Sequence, residues 1–141
     1  MGRVNYGHAV IDRKGILESV TLRDAGAPGN TLTGWEVFLL PMERAFIANL
    51  QPVCANPRKA GVFFKASMSL DSVGDTYFDM CHWTKGVVWV NGHNLGRYWN
   101  IGPQRRLYCP APWLRQGANE VVIFDLHQIE AKPVELRRSL S

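Results

Sequence analysis

Apolar side chains recur at every second residue in four separate stretches of this chain, and no other feature constrains its fold as tightly. In VFFKASMSL, Val62, Phe64, Ala66, Met68 and Leu70 share one face, and Phe63, Lys65, Ser67 and Ser69 share the other. Thr76, Phe78 and Met80 alternate with Tyr77 and Asp79. Val122, Phe124 and Leu126 alternate with Val121, Ile123 and Asp125, and Trp35, Val37 and Leu39 with Glu36, Phe38 and Leu40. A pleated strand points successive side chains to opposite faces, so these stretches predict half-buried strands. They are separated by Gly, Pro, Asn and Asp at intervals of roughly ten to fifteen residues, the spacing of an all-β protein built as an antiparallel jelly-roll sandwich. Very little helix is expected. MERAFIANL can make two turns, and APWLRQG one, with Pro112 near its start and Gly117 as a left-handed stop. Neither is long enough to cover a sheet.

The run VVWVNGHNLGRYWNIGP adds a hairpin. Asn91-Gly92 follows a strand, and a type I′ turn needs positive φ at both central residues, which Asn and Gly supply most readily. Residues 87–90 should pair with a return over 95–99, with Gly96 marking a bulge or a close backbone approach. Trp89 and Tyr98 are then packing residues. The first 33 residues hold two strand candidates, near 4–6 and 15–22, and a break at DAGAPGN. Two strands are marginal alone, so 1–33 is expected to close a preceding sandwich or form a crossover segment. Residues 34–130 make the jelly roll, and 131–141 a tail.

Charge and composition narrow the function. The chain has 141 residues, one ordinary domain's worth, and a formal charge of +4. Its basic residues are scattered rather than clustered on one element, which argues against nucleic acid. It has no apolar run of about 18 residues, so no membrane span is expected. Cys54, Cys81 and Cys109 show no CxxC spacing and are expected as buried small apolar residues, with one disulfide and a free thiol as the alternative. His8, His82, His93 and His127 lie far apart, so no metal site and no cofactor are expected. Glu36, Asp79, Glu120 and Asp125 fall on strands, where the simple expectation is solvent or, for Asp79, a surface ion pair. Asp71 and Asp75 fall in a loop. No serine or cysteine sits in a nucleophile-elbow pattern.

Four residues remain as candidates for contact with a carbohydrate or a partner surface: Trp83, Arg97, Trp99 and Trp113. Three tryptophans exceed what a small sandwich must bury. An Arg beside aromatics forms either a cation–π pair within the fold or a sugar site, where the ring stacks on the C–H face and the Arg binds hydroxyls.

Three segments carry a resemblance: MGRVNYG…DRKGI, LTGWEVFLLPM, and GDTYFDMCHWTKGVVWVNGHNLGRYWNIGPQRRLYCPAPWLRQGANEVVIFDL. Together they resemble the C-terminal, galactose-binding-like part of the β-galactosidases of glycoside hydrolase family 35, over residues 1 to about 126. The resemblance implies a larger parent whose (β/α)8 barrel hydrolyses terminal β-galactosides with two glutamates. Retaining hydrolysis needs two carboxyl groups about 5–5.5 Å apart, and in the family the barrel supplies both. No residue here inherits a catalytic role, and the chain is expected to be inactive alone. The implied partners are the barrel and a neighbouring sandwich, with galactosides and a homo-oligomer as further prospects. The implied location is the bacterial periplasm or exterior, or the lysosome in an animal.

Overall fold

The computed structural model describes residues 16, 18–39, 42–54, 56 and 61–140, which fall into two compact units, Met1–Leu40 and Pro41–Ser141. The first holds a short antiparallel ribbon, β1 (Thr21–Leu22) against β2 (Asn30–Thr31), closed by a bond from Leu32 N to the Val20 carbonyl. The candidate strand at 4–6 lies outside the described residues. The strand expected at 35–39 does not form: Trp35, Val37, Phe38 and Leu39 are exposed and belong to no ladder. Alternation prepares a segment for a sheet, but a strand also needs a neighbour to take its hydrogen bonds.

The second unit is the expected antiparallel sandwich. β3 (Val62–Leu70), β8 (Gly117–Asp125), β5 (Lys85–Val90) and β6 (His93–Trp99) form one sheet in the order β3-β8-β5-β6. β7 (Arg106–Cys109), β4 (Thr76–Asp79) and β9 (Glu135–Arg137) form the other in the order β7-β4-β9, and every pairing is antiparallel. Between the sheets lies the main core, where Phe78, Leu107 and Cys109 meet Val88, Val90, Tyr98, Val121 and Ile123.

A second core covers the opposite face of the larger sheet. There Trp89, Val122 and Phe124 pack under Ile47 of α1 (Arg44–Ala48), and Phe46 sets its ring edge-on to Phe63 at 5.6 Å. This corrects the expectation that so short a helix leaves the sheet uncovered. Burying one isoleucine whole is worth about 1.5–3 kcal/mol, so a single anchored turn is enough to make β8 a strand buried on both faces. The short turn at Ala111–Trp113 forms, but it ends at Leu114, and Gly117 instead opens β8.

Residues 131–141, expected as a tail, supply β9. Leu136 pairs with Phe78, Val134 packs on the main core, and the Pro133 carbonyl accepts a bond from Trp83 Nε1 at 3.1 Å. Three residues are too few to display a period of two.

The hairpin forms as expected. Asn91 and Gly92 have φ of 49° and 78°, and β5 and β6 pair with one extra residue, Leu95, where Val88 opposes Gly96 and Trp89 opposes Asn94. Such a two-against-one register is a β-bulge.

Candidate functional site

The structure scatters the four candidate residues. Trp83 is only 2% exposed; its ring meets Phe64 edge-on at 5.0 Å and its indole N–H is taken by Pro133. It is a core residue with no free ring face to offer a ligand. Trp113 is half-buried and stacks flat on His93, centroids 4.7 Å apart and planes 8° from parallel. A network of amides holds it there. Asn91 Nδ2 donates to the Trp113 carbonyl at 2.7 Å and to Asn119 Oδ1 at 2.8 Å, while Asn91 Oδ1 accepts from Arg115 Nη2 and Glu120 N at 3.0 Å each.

Arg97 and Trp99 do lie together, two residues apart on edge strand β6 and facing the same side as Trp89. The cation over the Trp99 ring is not Arg97 but Lys85, directly across the strand pair, with Nζ 4.2 Å from the centroid. Opposed residues on neighbouring strands approach most closely, whereas an i, i+2 neighbour sits roughly 7 Å along the chain, which is why the lysine takes the ring. Trp99 keeps 41% of its surface exposed, and Arg97 is exposed.

Two of the carboxylates, Asp79 and Asp125, are placed differently from expectation. Asp79 is 3% exposed, not a surface residue; its Oδ2 lies 2.9 Å from Arg106 Nε and 2.8 Å from Arg137 Nε, and Oδ1 accepts from Cys81 N. Asp125 is fully buried and accepts from the Thr84 amide and hydroxyl, the Tyr98 hydroxyl, and the amides of His127 and Gln128. Burial alone would raise the pKa of both. The hydrogen bonds outweigh it, from Arg106 and Cys81 at Asp79 and from Thr84, His127 and Gln128 at Asp125, so both are held below the usual carboxylate range. The Tyr98 hydroxyl is pushed in the other direction, by burial and by its bond to Asp125. A glycosidase acid needs a raised pKa to hold its proton at neutral pH; these two carboxyls are tuned the opposite way.

Cys109 is buried as expected, its thiol pushed up to about 11 by burial, but Cys54 and Cys81 are exposed, and all three are free. Among the described residues no three His, Cys, Asp or Glu side chains converge as a metal-binding group. A groove of about 870 Å³ follows β3, lined by Leu50, Val53, Phe63, Phe64 and other largely apolar residues. One further aromatic pair has no signature in the linear pattern of the chain. Tyr77 and Tyr108 lie directly opposite on the outer face of the small sheet, rings 5.4 Å apart, beside the Asp79–arginine cluster. The alternation of Tyr77 with Phe78 set its face, but only the β4–β7 register could supply its partner.

Residues 61–119 match the family described as "Beta-galactosidase, galactose-binding domain". The chain carries a β-galactosidase galactose-binding domain. Among curated relatives, it is 41% identical over 130 residues to human "Beta-galactosidase-1-like protein 2", covering 88% of this chain and 20% of that protein. It is 38% identical over 145 residues to "Beta-galactosidase 17" of Arabidopsis thaliana, covering 89% and 20%. It is also 37% identical over 147 residues to "Beta-galactosidase" of Bos taurus, covering 89% and 22%. The chain therefore spans about a fifth of the length of these relatives. The matched stretch of the galactose-binding domain runs from β3 into β8 and includes Asp79, Lys85, Arg97, Trp99 and Trp113. Asp125 and β9 lie beyond it but complete the buried network and the small sheet.

Proposed function

We propose that this chain is a non-catalytic domain of a family 35 β-galactosidase, bracing the catalytic barrel of the parent and contributing to its assembly. The observation that carries this reading is the use of the buried carboxylates: Asp79 is held by Arg106, the Cys81 amide and the neighbouring Arg137 charge, Asp125 accepts from Thr84, Tyr98, His127 and Gln128, and both are kept ionised, which makes them struts rather than proton donors. The exposed apolar run from Trp35 to Leu39 supports a role in assembly, because contiguous exposed apolar surface favours a partner. The test is turnover. The purified 141-residue chain given a chromogenic β-galactoside should release no product. Steady release that survives repurification and disappears in Asp79→Asn or Asp125→Asn would overturn the reading.

A second reading, a carbohydrate-binding module for galactosides, is favoured by one feature: the exposed indole of Trp99 on an edge strand with Arg97 on the same face. Calorimetric titration of galactose and lactose into the chain tests it, and the absence of heat at millimolar sugar would remove it.

A further inference from the structure

The outer face of the larger sheet is covered by α1 as far as Trp89 and Val87. Past that cover the same face continues onto β5 and β6, where Lys85 opposes Trp99 and Val87 opposes Arg97. Lys85 and Arg97 are thus diagonal neighbours across two strands, roughly 7–8 Å apart along the backbone. Neither has a carboxylate partner among the described residues, and Glu120 on this face is already held by Lys65 at 3.0 Å. Lys85 Nζ lies 4.2 Å over the partly exposed indole of Trp99, and Arg97 shares the strand and the face of that residue. Two unneutralised like charges on neighbouring strand positions repel each other, and an oxyanion that takes donors from both removes the repulsion and gains charge-assisted hydrogen bonds.

We propose that Lys85, Arg97 and Trp99 form a binding platform for an anionic saccharide, a galactoside bearing a sulfate ester or a carboxylate. The proposal rests on the carbohydrate-binding reading above and goes past it by assigning the ligand a charge. Arg97 provides a planar fork that matches the oxygens of a sulfate or carboxylate. Lys85, held over one face of the indole, provides the second cation and fixes the ring. The exposed remainder of Trp99 receives the apolar C–H face of the sugar. A position on edge strand β6 leaves the platform open to a chain of sugars rather than enclosing a single ring.

Calorimetry on the 141-residue chain tests this with four probes: galactose 6-sulfate, galacturonic acid, galactose and sodium sulfate. At low salt at least one acidic sugar should bind about tenfold or more tighter than galactose, and the advantage should shrink as salt screens it. The two acidic sugars distinguish a sulfate from a carboxylate ligand. Arg97→Gln and Lys85→Gln should each bring the acidic sugar down to the galactose level, and Trp99→Ala should weaken every sugar. Thermal melting checks that the variants are folded, and Trp99→Phe replaces the alanine if that one is not. Equal affinity for galactose and both acidic sugars overturns the charge assignment while sugar binding stands. Sodium sulfate binding as tightly as the sulfated sugar overturns the saccharide platform. No heat from any sugar overturns this proposal and the carbohydrate-binding reading together.

Discussion

Gly86 shows how one residue can organise an interior. A β-carbon there would lie 1.7 Å from the Phe124 carbonyl oxygen and 2.7 Å from the Tyr98 hydroxyl, so no side chain fits. That vacancy lets the Tyr98 hydroxyl reach Asp125 at 2.8 Å and close the cluster of donors around the carboxylate. Because the native pKa values of Asp79 and Asp125 lie below the ordinary value near 3.9, the unfolded chain binds more protons as acid is added. Their stabilisation is therefore present above that ordinary value and is lost as pH falls through the lowered native values. Urea unfolding should show a decline in stability beginning below about pH 5. Asp125→Asn should flatten that decline and cost roughly 2–4 kcal/mol at pH 7, since a charged acceptor is removed from buried donors. Little of this cluster was legible beforehand. Alternation fixed the strand face of Asp125, but a sequence does not say that the face is covered. Its donors come from Thr84, Tyr98, His127 and Gln128, segments that only the folded sheet brings together.

At the scale of elements, the β5–β6 hairpin was the most legible because its determinants are local: four residues of strand, then Asn-Gly. What the dipeptide does not announce is that the Asn91 side chain also ties the hairpin to the segment before β8, through Trp113 and Arg115, and to β8 itself through Asn119. Asn91→Gly keeps the left-handed turn but removes those bonds, and should lower stability by about 2–3 kcal/mol in denaturant unfolding. Asn91→Asp keeps the acceptors, loses the amide donor, and should fall between the two. The same contrast separates residues 35–39 from β9. Residues 35–39 have the alternation of a strand and no ladder, whereas β9 has a ladder and almost no alternation. Periodicity reports a preference for a pleated, half-buried surface; pairing depends on what lies alongside.

At the scale of the whole molecule, the buried residues of both cores, among the described residues, belong to the second unit. Residues 41–141 expressed alone should therefore keep a cooperative melting transition within a few degrees of the full chain, as calorimetry can show. They should also bind less hydrophobic dye, having lost the exposed run at Trp35–Leu39. The small sheet has a further consequence for synthesis. β4 takes one neighbour from β7 and the other from β9, which is made after every other described strand. As the polypeptide leaves the ribosome, the β4 edge that faces Leu136 stays open until Glu135–Arg137 emerges. A nascent chain arrested shortly before Glu135 would have most of its core yet still display a raw strand edge, a template for joining other chains. The strand β9 thus acts as the clasp of the sandwich, and a stop codon just upstream of it should produce a protein that clumps rather than one that is merely shorter.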